Sequence, residues 1–299
     1  MVAGTTKPKP GAESAQCVIC DRLNSDFENI CGRCMAPAEL TRSVVRRGTP
    51  ARFVAVLGES AAGKTVYLGM LLDMLSKGCR GLRGFPNGTF SIAVQQETMT
   101  ALQDRLFPEK TASEADNWKW VHCEVSKVGK GSGYLDVITP DFAGEAIALE
   151  VEQPGTYPTI RAMVKKAASL LVLIDSQRAR DDGREEDYFG LKLASYISTV
   201  NAGSNGKRSK KLDIPVVVLF TKADTCPEAR DNPSQFAAST LPGLTNYCER
   251  HFDKHAFFST GVVGSTATVM SDHGFRMHIP LHVEPRGVIE PLEWIMKHI

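Results

Sequence analysis

Three short groups of residues, in a fixed order along the chain, carry the chemistry. The first is Gly58-Glu59-Ser60-Ala61-Ala62-Gly63-Lys64-Thr65. Glycines at this spacing let backbone amides converge on phosphate oxygens, Lys64 reaches the last two phosphates of a nucleoside triphosphate, and the Thr65 hydroxyl is a magnesium ligand. The second group is Asp141-Phe142-Ala143-Gly144. Asp141 is placed to hold the metal, usually through water, and the Gly144 amide to sense the terminal phosphate, so that loss of that phosphate releases the segment. The third is Thr221-Lys222-Ala223-Asp224. A carboxylate at Asp224 accepts from the two donors on guanine's edge, while the aliphatic stem of Lys222 covers the base. Adenine presents no such pair and would leave a buried carboxylate unpaired. The expected ligands are GTP and GDP with Mg2+. Ser259 and Thr260 add a weaker signal, backbone contacts to the base.

The elements that must position these groups are legible as apolar runs. Residues 52–57 form a short run rich in Val and Ala that ends at Gly58, and 65–77 place Val66, Leu68, Leu71, Leu72 and Leu75 at helical spacing before Gly78. Strand, glycine loop and helix are the context a phosphate loop requires. Further strands are expected at 118–126, 134–139, 168–175, 214–220 and 256–259, with helices at 94–107, 188–200 and 289–299. Each group then falls just past the carboxyl end of a strand, where doubly wound sheets bind ligands. The expected fold is α/β, a doubly wound, mostly parallel sheet preceded by a small zinc ribbon.

The ribbon rests on four of the eight cysteines. Cys17-x2-Cys20 and Cys31-x2-Cys34 form two knuckles whose four thiolates fill a tetrahedral shell, so a structural zinc ion is expected, with rubredoxin-like iron or a redox pair as alternatives. Cys79, Cys123, Cys226 and Cys248 are scattered singly and read as small buried hydrophobes. Residues 1–16 are expected to be disordered, 17–36 to form the ribbon, 37–50 a linker carrying Arg42, Arg46 and Arg47, and 51–299 the nucleotide-binding domain. His251 and His255 have helical metal spacing, and His273, His278 and His282 crowd one segment; they read as surface histidines.

From 52 onward the motifs resemble those of the Ras-like and translation-factor class of GTPases. The DFAGE segment, the long interval between Lys64 and Asp141 and the terminal EPLEWIMKHI helix look like the bacterial double-GTPase group of conflict and signalling systems. The resemblance implies a threonine that closes over magnesium. Thr111 is the candidate, with Thr89, Thr98 and Thr100 as rivals. It also implies catalysis by Lys64, Thr111 and the residue after Gly144. There this chain departs from the class: Glu145 stands where Ras-like enzymes usually carry a water-orienting glutamine, and a carboxylate cannot donate to phosphate. Slow intrinsic hydrolysis is expected, with Arg161, Arg178, Arg180 and Arg184 as candidate internal arginine fingers.

Composition narrows the rest. Thirty-five basic against 34 acidic residues give a net charge of +1, which supplies no global attraction to nucleic acid or an anionic membrane. No apolar run in the sequence resembles a signal peptide or a membrane-spanning helix, and a cytoplasmic protein is expected. The implied partners are GTP and a protein effector or second GTPase; the ribbon resembles small ribbons that bind proteins or nucleic acid, and protein contact is the favoured reading. Two other readings remain at this stage: a scaffold that holds GTP without turnover, and an ATP-dependent, nucleic-acid-associated NTPase, against which TKAD and the balanced charge both argue.

Overall fold

A computed structural model describes residues 14–25, 28–109, 118–129, 134–202, 211–270 and 276–299. Strands β1 (Ser14–Gln16) and β2 (Leu23–Ser25) pair as a small antiparallel ribbon, followed by helix α1 (Ala38–Arg47). The main body runs β3 (Phe53–Gly58), α2 (Lys64–Lys77), β4 (Leu82–Asn87), α3 (Gly88–Gln103), β5 (Trp120–Lys127), β6 (Leu135–Pro140), α4 (Gly144–Glu152) and α5 (Pro158–Lys166). It continues through β7 (Ser169–Asp175), α6 (Ser176–Asp181), α7 (Gly183–Asn201), β8 (Val216–Thr221), α8 (Pro227–Asp231), α9 (Pro233–Thr240) and α10 (Pro242–His251). Strands β9 (His255–Ser259), β10 (Gly261–Met270) and β11 (Arg276–Arg286) and helix α11 (Glu290–His298) complete it.

The central sheet has the order β4-β5-β6-β3-β7-β8-β9. From β6 to β9 every neighbour is parallel; β4 and β5 join antiparallel at one edge. β3, β7 and β8 are buried along their whole length, which is why they read as unbroken apolar runs rather than alternating ones. One face of the sheet is packed by α2, α3 and α11 side chains, the other by α4, α5, α7 and the helices that follow β8. The expected mostly parallel α/β sheet is the observed one.

Three differences have physical causes. β4 carries Gly84 and Pro86, weak strand formers tolerated because β4 is the sheet's edge, and no strand was expected between Gly78 and 94. β10 and β11 form a separate two-stranded sheet beyond β9, where 256–259 was expected to be the last strand; β10 is interrupted by bulges near its start, which blurs the alternation. The segment 37–50 is not an open connector: α1 buries Ala38, Leu40, Thr41 and Val44, spaced to lie on one helical face. Of the stretch expected to be disordered, 14–16 is strand β1 and the remainder lies outside the described residues.

The ribbon does not stand apart. Cys17, Ile19, Cys20, Cys31, Cys34, Ala36 and Leu40 share one apolar cluster with Phe53, Trp118, Trp120 and Phe142 of the main body. The Thr159 hydroxyl donates to the Cys34 carbonyl at 3.2 Å and Lys166 pairs with Asp21 at 2.7 Å. At the far end of α1, Arg47 forks onto both carboxylate oxygens of Asp136 at 2.7 Å each. Burial alone would raise the pKa of Asp136, but hydrogen bonds from Arg47 and His122 outweigh it and hold the carboxyl below its usual range.

Candidate functional site

The carboxyl ends of β3, β6 and β8 deliver the three sequence groups to one edge of the sheet. Between them lies a cavity of ≈450 Å³, lined by Ser60, Gly63, Lys64 and Thr65 from the first, Phe142, Ala143 and Gly144 from the second, and Thr221, Lys222 and Asp224 from the third. That volume is within the range of small-molecule sites. Ala61, Glu145 and Thr260 also line it. Gly58, Glu59 and Ala62 belong to the same loop but do not line it, and neither does Ser259, whose hydroxyl donates to the Arg230 carbonyl at 3.3 Å.

In the loop, Gly63 sits in the left-handed region at φ 77° and α2 starts at the next residue, so its first amides face the cavity. Lys64 is 6% exposed, and burial pushes its amine down to about 8 against the pull of Asp141, Glu145 and Glu59. Its Nζ donates to the carbonyls of Gly58 at 3.0 Å and Glu59 at 2.8 Å. The Thr65 hydroxyl donates to Asp141 Oδ2 at 2.7 Å, bringing two hard oxygen ligands from different groups side by side. That donor set fits magnesium, which prefers oxygen ligands and binds through one or two carboxylates with phosphates and water.

Gly144 packs directly on the phosphate loop. A Cβ there would lie 1.8 Å from the backbone nitrogen of Ser60, so any side chain would displace the loop. The next residue, Glu145, is exposed and accepts from the Ser60 hydroxyl at 2.9 Å. At the other end of the cavity, burial raises the pKa of Asp224, while backbone amides of Asp224 and Val262 and the charge of Lys222 pull the other way. A Cβ on Gly261 would come within 2.5 Å of Asp224 Oδ1, so glycine there leaves the carboxylate its place. The adjoining backbone is stitched by Ala223 N–H to Thr260 O at 3.0 Å and Thr260 N–H to Phe220 O at 2.7 Å.

Several site residues escaped the sequence reading. Asp175, buried at the end of β7 and paired in register with Thr221, accepts from the Lys222 ammonium and, through Oδ1, from the Gln177 amide at 2.9 Å. Its signal was a wholly apolar strand closing on a carboxylate. Gln177, Phe107, Pro108, Glu109, Val262, Val263 and Thr266 also line the cavity; no local pattern announced them. Of the four candidate arginines, Arg178 touches the loop: it donates to the Ser60 carbonyl at 3.2 Å and pairs with Glu59 at 2.6 Å and Glu186 at 2.7 Å. Arg180 pairs with Asp181, Arg184 lies over the Tyr188 ring, and Arg161 is on α5.

Thr111 lies outside the described residues. Its rivals Thr89, Thr98 and Thr100 sit on α3 and line none of the cavity. His251 ends α10 and stacks on Tyr247, whereas His255 begins β9, so their spacing is not that of one helix. His282 pairs with Glu284; His273 and the side chain of His278 lie outside the described residues.

At the ribbon, the four Cys17, Cys20, Cys31 and Cys34 sulfurs all lie within 4.8 Å of one another. The Cys17–Cys34 and Cys20–Cys31 sulfur pairs are 3.5 Å apart, close to the roughly 3.8 Å edge of a tetrahedron with 2.3 Å Zn–S bonds. The set fits a closed structural zinc site. The crowded thiols are strongly inequivalent: the Cys34 hydrogen bond pulls Cys17 down to about 5, and burial pushes Cys20 up to about 11.

Residues 55–194 match a family model described as Double-GTPase 1. No curated protein matches the chain. Among solved structures, it is similar to the GTP-bound GTPase-like domain of Ski7 from S. cerevisiae, at 16% identity over 86% of this chain and 53% of that one, with a TM-score of 0.42. It is also similar to the Arl6 BBS3 small GTPase from Trypanosoma brucei with a bound nucleotide analogue, at 12% identity over 83% of this chain and 96% of that one, with a TM-score of 0.38. A third similarity is to the SRb-GTP/SRX complex from Chaetomium thermophilum, at 14% identity over 73% and 93%, with a TM-score of 0.39.

Proposed function

We propose, from the premise that this chain is a phosphate-loop GTPase of the Ras-like and translation-factor class, that it is a GTP-controlled switch. It binds GTP with Mg2+, hydrolyses it slowly to GDP and phosphate, and passes the state of its switch to a protein partner. The observation that carries this reading is the single cavity on which phosphate-loop, Gly144 and Asp224 residues converge.

In this reading the amides at the start of α2 and the Lys64 ammonium hold the phosphates, Lys64 leaving its two carbonyl partners to do so. Thr65 and Asp141 hold magnesium, with Thr111 as a further ligand. Magnesium, when bound, neutralises charge on the last two phosphates. Asp224 reads the guanine edge, Lys222 covers the base with its stem, and the 223–224 and 260–262 backbone frames it. Glu145 stands where Ras-like enzymes carry the water-orienting glutamine, and its carboxylate, able only to accept, offers no donor to the developing phosphate charge. That acceptor-only chemistry also supports a second reading, a GTP-holding scaffold whose turnover needs a group from a partner.

The family-model match supports a second GTPase as that partner, and the docked ribbon offers a surface for it. The test is titration of the purified chain with GTP and ATP in Mg2+, followed by turnover measured alone and with candidate partner GTPases. GTP binding at least a hundredfold tighter than ATP binding is expected. Equal affinity for the two nucleotides overturns the reading.

A further inference from the structure

One ion-pair cluster beside the phosphate loop is unused by the roles above. Glu59 is the second residue of the loop, and a carboxylate there opposes a polyphosphate ligand. Arg178, from the start of α6, reaches it at 2.6 Å and at the same time pairs with Glu186 of α7 at 2.7 Å. The three side chains differ in freedom: Glu186 is 2% exposed, Glu59 27% and Arg178 41%. Glu186 is therefore a fixed anchor, and burial pushes its carboxyl up to about 7. The guanidinium has a third tie, from Nη1 to the Ser60 carbonyl at 3.2 Å. Asp175 caps the turn that carries it, accepting from the Arg178 amide at 3.4 Å and the Gln177 amide at 2.9 Å.

We propose that Arg178 is a positioning residue of the phosphate site, which holds the Glu59 carboxylate against the anchored Glu186 side and away from the phosphates. The proposal rests on the reading of 58–65 as a phosphate loop. Without Arg178, Glu59 keeps its charge but loses the partner that draws it aside, and it can turn toward the loop's mouth. Repulsion there grows with ligand charge, so GTP loses more than GDP. The backbone shape of the loop is also tied by Ser60 O, but a purely structural role would weaken both nucleotides alike.

The test compares equilibrium affinities for GTP and GDP in four chains: wild type, Arg178→Gln with Glu186→Gln, the same pair with Glu59→Gln added, and Glu59→Gln alone. Pairing the Arg178 change with Glu186→Gln avoids a buried unpaired carboxylate. The double variant is expected to bind GTP roughly tenfold and GDP roughly threefold more weakly. Adding Glu59→Gln is expected to bring GTP back to within about twofold of wild type and to remove the GDP deficit. Equal losses for the two nucleotides, or no restoration, overturn the proposal. Should the double variant lack a cooperative melting transition, Arg178→Lys, with and without Glu59→Gln, decides: a larger loss for GTP than for GDP that Glu59→Gln restores supports the proposal, and equal losses or no restoration overturn it. A wild-type chain that binds no GTP instead brings down the phosphate-loop reading itself.

Discussion

The hydroxyl of Thr65 donates to Asp141 Oδ2 at 2.7 Å, although 76 residues separate them. β3 and β6 are adjacent parallel strands, so the loop after one and the segment after the other open at the same edge. Thr65→Ala is expected to weaken GTP binding about tenfold or more in Mg2+ and to change little in EDTA, because the lost oxygen serves the ion. Circular dichroism should show the fold intact. Isothermal titration under both conditions checks it, and an equal loss in EDTA would remove Thr65 from the metal.

Lys64 supplies a pH dependence with a definite sign. Its amine is lowered to about 8 by burial in the ligand-free chain, and a bound polyphosphate raises it again. The bound-state pKa then exceeds the free-state value, so binding takes up a proton above pH 8. GTP affinity is expected to be flat below about pH 7.5 and to fall with a slope approaching tenfold per unit above pH 8. Titrations in buffers of different ionisation enthalpy, from pH 7 to 9.5, measure both slope and proton uptake.

Docking of the ribbon changes what metal loss does. The cysteines share an apolar cluster with Trp118 and Phe142, and Trp118 stacks edge-on against Phe142 at 4.8 Å between ring centroids. Cys31→Ser, or chelation, is therefore expected to lower the melting temperature of the whole chain in one transition, by a stability loss of about 2–5 kcal/mol. Calorimetry with zinc analysis reads it. Two separate transitions, the larger unchanged, would show an independent ribbon.

Glu145 accepts from Ser60 rather than facing solvent alone. The chain on its own is expected to hydrolyse GTP near the unassisted rate of about 10⁻⁴ to 10⁻³ per second. Glu145→Gln replaces an acceptor with a group that also donates to phosphate and is expected to speed single turnover severalfold with GTP affinity nearly unchanged. Slower turnover would make the carboxylate itself the acceptor for the attacking water.

Much of this site was legible because its strands are buried on both faces, so β3 and β8 appear as uninterrupted apolar runs that end on the motif residues. What remained hidden joins residues far apart in sequence. Arg47 reads as linker charge until Asp136, 89 residues later, receives its guanidinium. Arg178 reads as a candidate arginine finger, with nothing to single it out, until the sheet brings Glu59 to it from 119 positions away. β4 and the β10–β11 hairpin lacked clean patterns, one because an edge strand tolerates Gly84 and Pro86, the other because bulges break its alternation.

Guanine recognition by Asp224 is the central claim, and exchanging the base tests it most directly. Asp224→Asn keeps the volume but turns one acceptor into a donor, which suits xanthine, whose carbonyl stands where guanine has its amino group. Equilibrium binding of GTP and XTP to wild type and Asp224→Asn is the measurement. We predict that the variant loses at least a hundredfold in GTP affinity, gains in XTP affinity and reverses the preference. Unchanged GTP affinity in a folded variant would contradict the account.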